Sequence, residues 1–285
     1  MHLQLNPTGK LFKLLFKIPF LKKRHFGFYK RVFKPLALFK RQTAICRYGK
    51  EMKVKVNIDE WIQQQIYFFG SWDEPGTNFI KNHLKKEDIF IDIGANIGSY
   101  SLIASELVGE GGSVHAFEPI AGVYERLLFN IELNNLKNIV VNKKAIYEKS
   151  GTLNFYVSAN ENLGMSSIFH HDTESGKTET VEGISLDEYI FSTGINRVDM
   201  IKIDIEGAEL FALKGMIKVL SVFKPLILME VSDELSLKSH VKSMDIIDFM
   251  KGLNYTMNGL SVEGFPVDFK DNRRGNYTNC VFMPN

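Results

Sequence analysis

Cysteine is nearly absent from this chain. Only Cys46 and Cys280 occur in 285 residues, near opposite ends. Two cysteines so far apart make neither a disulfide framework nor the clustered spacing of a zinc site, and they point to a reducing, cytoplasmic setting. Long apolar runs are missing too: no stretch is long enough to span a bilayer, and no apolar segment with a small-residue cleavage site marks export. The Asn-X-Thr sequons at Asn254 and Asn276 are accordingly read as chance. Acidic residues are lacking in one place only. Residues 1–50 hold thirteen of the 35 Lys and Arg residues and no Asp or Glu, a charge of +13. The other 22 basic residues face all 33 acids, so residues 51–285 carry −11. An overall charge of +2 conceals this split, which concerns partners and not fold.

What is present is ample core, with 45% hydrophobic and 12% aromatic residues. The charge shift divides the chain into a basic helical N-terminal extension, residues 1–50, and one large domain, 51–285. The extension reads as short helical pieces broken by Pro7, Pro19 and Pro35. In its first helix Lys10, Lys13 and Lys17 share one face, and Leu11, Leu14, Leu15 and Ile18 another. Such a segment suits peripheral contact with an anionic membrane at its inner face. Its alternative is a helical cap docked on the rest of the protein.

Beyond residue 52, MKVKVNI reads as a strand, and DEWIQQQIYFF as a helix with Asp59 as N-cap. Residues 71–76 read as a loop and 78–86 as a helix. Apolar strands are then expected at IFIDI, SVHAFEP, NIVVNKKAI, MIKIDIEG and PLILMEV, alternating with helices. GTLNFYVS and TVEGISL flank a polar stretch, the helix after MIKIDIEG runs to about Leu220, and NYTMN and YTNCVFM close the chain. Strands too apolar for a wet face imply a parallel sheet covered on both sides.

The sharpest motif is Asp92-Ile-Gly94-Ala-Asn96-Ile-Gly98, joining a strand to a helix whose amide end faces the turn. Glu118 closes the next strand, where an acid can accept hydrogen bonds from ribose hydroxyls. The G-x-G-x-x-G spacing of dinucleotide sites and the G-x-x-x-x-G-K-[ST] loop of nucleotide triphosphate sites are both missing. The turn suits the methionine part of S-adenosylmethionine better. Farther on, Lys202-Ile-Asp204-Ile-Glu206 alternates, with the three isoleucines between and beside them on the opposite face. An acid at the carboxyl end of a parallel strand stands where such sheets bind ligands. Asp204 inside an apolar strand is therefore a functional candidate, and Glu230 closes the neighbouring strand in the same way. Glu209 reads as a stabiliser of the following helix start.

The segments IDIGANIGSYSLIA, HAFEP, IKIDIEGAELFALKG and PLILME, with SLDEY between them, closely resemble the FkbM-type S-adenosylmethionine-dependent methyltransferase family from about Trp72 to Glu230. The resemblance implies a class I, Rossmann-like α/β fold: a seven-stranded, mostly parallel sheet with an antiparallel last strand. It implies O-methylation of a sugar, glycan or small hydroxylated metabolite. It places Asp92, Gly94, Asn96, Gly98 and Glu118 on cofactor positions, and Glu74 on a position upstream of the cofactor. It does not cover the basic segment.

Asp204 and Glu230 are the catalytic candidates. Either Asp204 takes the acceptor's proton as a base, or the two acids hold a divalent cation; the metal-free route is favoured because two acids make a sparse ligand set. His170, His171 and Asp172 read as a solvated loop and not as a metal site. Leu163–Ser167 is placed near the acceptor by topology. Trp61, Tyr67, Phe68 and Phe69 form a stripe read as core before sugar platform. Two other functions compete: an RNA methyltransferase holding phosphates with the basic arm, and an inactive cofactor-binding protein. The acidic charge of 51–285 argues against nucleic acid, and the intact turn, Glu118 and Asp204 argue against inactivity.

Overall fold

Phenylalanine organises the N-terminal part of the chain. The computed structural model describes residues 7–158, 166–169, 174–231, 239, 241–268 and 279–285, in two compact units. The first runs to Asp73 and includes Glu132–Asn134; the second comprises Glu74–Ile131 and Asn135–Asn285. The first unit holds α1 (Pro7–Leu15), α2 (Pro19–Lys22) and α3 (His25–Phe28), which continues into a π-helical turn, Tyr29–Phe33. A hairpin of β1 (Thr43–Tyr48) and β2 (Met52–Asn57) follows, then α4 (Trp61–Phe69). Pro7 and Pro19 open helices, where a missing N–H costs nothing. Phe16, Phe33, Phe39 and Phe68 are buried together. Phe12 meets Phe33 edge-on with ring centres 4.7 Å apart, and Phe16 meets Phe68 at 5.0 Å. His25 is buried against Trp61 and donates from Nε2 to Gln64 Oε1 at 2.9 Å. Burial lowers its pKa to about 4, so it is neutral.

Several expectations change here. Residues 43–48 form a strand and not a helical piece, because the alternation in TAICRY buries Ala44, Cys46 and Tyr48 against the hairpin's inner face. The N-cap of α4 is Glu60, not Asp59. Its carboxylate accepts from Asn57 Nδ2 at 2.9 Å and from Gln63 Nε2, which fixes the entering chain. The aromatic stripe on α4 is core: Tyr67 and Phe68 are buried. The inward face of α1 consists of Gly9, Phe12 and Phe16, while Leu11, Leu14 and Ile18 point to solvent. Gly9 permits this approach, since a Cβ there would stand 2.8 Å from Tyr67 Oη.

The second unit starts with α5 (Glu74–His83), four residues ahead of the expected helix. It continues through β3 (Ile89–Ile93), α6 (Ser99–Val108), β4 (Ser113–Phe117), α7 (Ala121–Leu133), β5 (Ile139–Asn142), β6 (Ala145–Ile146), β7 (Gly151–Ser158), β8 (Glu174–Ile184) and α8 (Leu186–Thr193). Then come β9 (Met200–Ile203), α9 (Glu209–Lys214), α10 (Ile217–Phe223), β10 (Leu226–Glu230), α11 (Ser243–Gly252), β11 (Tyr255–Leu260), β12 (Pro266–Val267) and β13 (Asn279–Pro284). The main sheet runs β12-β11-β13-β10-β9-β3-β4-β5. From β10 to β5 every pairing is parallel, and β13 is antiparallel to both its neighbours. This is the class I methyltransferase arrangement, with β12 as a two-residue eighth strand.

The expected third strand divides into β5 and β6, and β6 leaves the main sheet to pair with β8 in a three-stranded sheet ordered β6-β8-β7. The single helix expected after β9 is two, broken at Gly215. There a Cβ would lie 2.0 Å from the Tyr147 carbonyl oxygen, so the chain must pass close and turn. From β3 the strands proceed outward through β4 to β5; β9 then returns to the other side of β3. The crevice between β3 and β9 is the topological switch point, where sheets of this kind bind ligands.

Candidate active site

Four adjacent strands, β10, β9, β3 and β4, deliver the candidate residues to one rim at their carboxyl ends. The turn after β3 is built to bend sharply. Gly94, Asn96 and Gly98 all have left-handed backbones, with φ of 76°, 51° and 91°. The glycines are required by packing as well. A Cβ on Gly94 would be 2.0 Å from the Asp204 carbonyl oxygen, and one on Gly98 would be 2.7 Å from Leu127 Cδ1. Asn96 tolerates its conformation because its Oδ1 accepts from the Ile97 amide at 2.8 Å.

Glu118 follows β4 and turns back under this loop. Its Oε2 accepts from the Asn96 amide at 3.1 Å and its Oε1 from the Ile120 amide at 2.9 Å. Burial pushes its pKa up to about 7, against the pull of those two amides. Asp92 is wholly buried beneath the turn. Its Oδ2 accepts from Ser101 Oγ at 2.5 Å, and its Oδ1 has no hydrogen-bond partner among the described residues. Burial raises its pKa also, opposed chiefly by Lys202. Glu74 stands exposed in the first turn of α5, and its link to the cofactor rests on the family resemblance alone.

Lys202 is the residue that sequence reasoning passed over. It lies opposite Asp92 in the β3–β9 register, and its side chain is buried. Its Nζ donates to the Gly94 carbonyl at 2.9 Å, and lies 3.7 Å from Asp92 Oδ1 and 3.5 Å from Asp204 Oδ2. Burial alone would lower its pKa, but Asp204 and then Asp92 outweigh that and the net shift is upward, so the ammonium stays charged. One cation thus ties the turn after β3 to the acid that follows β9. A lysine inside an otherwise apolar parallel strand, two residues before Asp204, was the signal that could have revealed it.

The structure corrects the burial expected of Asp204. Strand β9 ends at Ile203, and the Asp204 side chain is 40% exposed at the rim. The alternation does not continue to Glu206, whose φ is 54° in the turn that follows. Glu230, at the end of β10, is hydrogen-bonded to Asp204. Burial, and after it the charge of Asp204, pushes the Glu230 pKa up to about 9, so it carries its proton at neutral pH. Glu209 is buried and accepts from the Ile205 and Gly207 amides, both at 3.2 Å, which agrees with a structural role.

Ser167 is buried and donates from Oγ to the Glu206 carbonyl at 2.9 Å, bringing its segment against the rim. Residues 163–165, His170, His171 and Asp172 lie outside the described residues. Among the described residues no group of three or more His, Cys, Asp or Glu side chains is arranged to hold a metal ion. A cavity of about 670 Å³ lined in part by Ser105, Gly109, Ser113 and Asn138 opens at the opposite, amino-terminal end of the sheet.

Residues 92–257 match the Methyltransferase FkbM domain. The hexuronic acid methyltransferase AglP of Haloferax volcanii is 29% identical over 136 residues, 48% of this chain. The chain spans about half of that relative, 53% of its length. Among solved structures, the methyltransferase FkbM of Methylobacillus flagellatus KT is 16% identical, with a TM-score of 0.43 over 79% of this chain and 55% of its own. A SAM-dependent methyltransferase of Aquifex aeolicus is 15% identical, with a TM-score of 0.41 over 73% and 88%. The family match spans more than half of the chain and contains the turn after β3, Glu118, Lys202, Asp204 and Glu230. The chain therefore belongs to the FkbM methyltransferase family.

Proposed function

We propose that this methyltransferase uses S-adenosylmethionine to methylate a hydroxyl oxygen of a sugar, a glycan or a small hydroxylated metabolite, without a metal ion. The observation that carries the reading is the solvent-facing carboxylate of Asp204 at the switch point, held between the charged Lys202 and the protonated Glu230. A hexuronic acid methyltransferase among the relatives supports a sugar acceptor. Two features fit the cofactor. Each Glu118 oxygen accepts one amide and keeps capacity for a ribose hydroxyl. Asp92 Oδ1 is a buried acceptor that takes no hydrogen bond among the described residues, with the Lys202 ammonium 3.7 Å away.

S-adenosylmethionine supplies, when bound, a methyl group activated by its sulfonium sulfur. The chain does the rest. Gly94, Asn96 and Gly98 shape the turn, and Glu118 orients the ribose. Asp204 accepts the proton that the acceptor hydroxyl loses as its oxygen bonds to carbon. Glu230 donates its hydrogen bond to Asp204 and fixes that carboxylate's orientation. A protonated Glu230 is also a poor cation ligand, which favours the metal-free route. The same reading keeps residues 1–50 as an accessory basic extension to the domain of 51–285, working in the cytoplasm with peripheral contact at the inner face of the membrane.

The test is a label-transfer assay with purified protein and methyl-labelled S-adenosylmethionine, offered uronic-acid glycans and RNA in parallel, with and without chelator. The label is expected in the glycan fraction at an ether oxygen, unaffected by chelator. Label in RNA, or in neither, overturns the acceptor class; loss with chelator overturns the metal-free route.

A further inference from the structure

The outward face of α1 is apolar, although the helix has already given its other face to the core. Gly9, Phe12 and Phe16 face inward. Leu11, Leu14 and Ile18, at i, i+3 and i+7, lie on the opposite side and are each more than half exposed. The helical path reaches Ile18 through bonds from the Lys17 amide to Leu14 O and from the Ile18 amide to Leu15 O. Lys10, Lys13 and Lys17 run along one flank, all exposed. Just beyond, Phe20 and Phe26 are again more than half exposed. A cation sits over each ring: the Arg24 guanidinium 4.2 Å from the Phe20 centre and Lys30 Nζ 4.5 Å from that of Phe26. A single exposed leucine needs no explanation. Three large apolar side chains on one helix face, with two more exposed at Phe20 and Phe26, among lysines and arginines and with no acid in the first 50 residues, do.

We propose that this face of the first unit seats on a bilayer surface bearing anionic phospholipid headgroups. In that arrangement Leu11, Leu14, Ile18, Phe20 and Phe26 enter the boundary between headgroups and acyl chains. The neighbouring lysines and arginines extend to the phosphates. Nucleic acid would match the positive charge but would leave the apolar stripe in water, so lipid is the partner that satisfies both halves of the surface. No helix among the described residues is long and apolar enough to cross a membrane, and the contact proposed is a surface one. The inference deepens the membrane part of the reading above and does not depend on the acceptor.

The experiment is sedimentation of the full chain with vesicles of phosphatidylcholine and phosphatidylglycerol, against phosphatidylcholine alone, over a range of salt. The wild type should bind the mixed vesicles and release as salt rises. The exposed triple variant Leu11→Gln, Leu14→Gln, Ile18→Gln should keep its melting temperature and bind the mixed vesicles at least about tenfold more weakly. The single variant Leu14→Trp should add a fluorescence component that moves to the blue on the same vesicles. Unchanged binding by the triple variant, or an unmoved fluorescence signal from the Leu14→Trp protein, overturns the stripe while leaving basic peripheral contact standing. Absence of vesicle binding at any salt overturns both. An RNA oligonucleotide that binds more tightly than the mixed vesicles at equal salt overturns the choice of lipid. Titration of S-adenosylmethionine in the same samples reports separately on the cofactor reading.

Discussion

Glu118 and Lys202 show how burial sets the chemistry of single residues here. Burial holds the Glu118 pKa up at about 7, and its ionised form accepts hydrogen bonds from ribose hydroxyls more strongly than its protonated form. Affinity for S-adenosylmethionine is therefore expected to rise by up to about tenfold from pH 6 to pH 8 and to level above that. Calorimetry across that range should find Glu118→Gln flat, and weaker than wild type at pH 8 by about ten- to a hundredfold. A slope retained in the variant would remove Glu118 from the ribose. Lys202 makes a different prediction. Replacing it with Met leaves Asp92 buried without its cation and should cost about 3–5 kcal/mol in denaturant unfolding. Adding Asp92→Asn removes the uncompensated charge and should recover a good part of that loss. Equal stability of the single and double variants would contradict the pairing. The turn, Glu118 and Asp204 were legible in the sequence because each closes a strand and its type is visible locally. Lys202 was not, because its role depends on the register that sets it opposite Asp92. The exposure of Asp204 was hidden for a similar reason: only the structure shows that β9 stops one residue earlier.

The elements divide between those fixed by local pattern and those fixed by a distant neighbour. The five parallel strands were readable because each is a short, mostly apolar run, and the tail's two longer strands because a polar stretch separates them. The break between α9 and α10 was not, because it answers to Tyr147, far away in sequence. The facing of α1 is the most instructive case. Leucines and phenylalanines occupy opposite sides of this helix, so hydrophobicity alone could not choose; the aromatic cluster of the first unit chose the phenylalanines. The choice can be checked by paired truncations in the full chain. Phe16→Ala should cost about 3–5 kcal/mol of the first unit's stability, and Leu14→Ala should stay within about 0.5 kcal/mol of wild type. Denaturant unfolding with the reverse ranking would mean that the helix is turned the other way.

At the scale of the whole molecule, the burial of titratable groups makes stability depend on pH. The second unit buries carboxylates whose pKa values are raised, Glu118 and Glu209 to about 7 and Glu230 to about 9, all from 4.5. The folded state holds those protons more tightly than the unfolded one, so the stability they contribute is complete below about 4.5 and is lost as pH rises through each folded value. His25 acts in the opposite direction, because its pKa is lowered from 6.5 to about 4 and its contribution is lost as pH falls. Above about pH 6.5 only the carboxylates remain in play among these groups. The melting temperature is therefore expected to fall from about pH 7 to about pH 9, and Glu230→Gln should flatten the upper part of that fall; a wild-type profile that rises would contradict the protonated Glu230. The central claim, that Asp204 takes the proton of a hydroxyl acceptor beside a bound S-adenosylmethionine, has a more direct test. Mass spectrometry would compare the polar glycans and glycolipids of cells carrying the wild type with those of cells carrying Asp204→Asn, with calorimetry of the purified variant alongside. The account predicts that the variant binds S-adenosylmethionine like the wild type while its cells yield a product lighter by one CH2 for each methyl group lost. Fully methylated product from Asp204→Asn cells would contradict it.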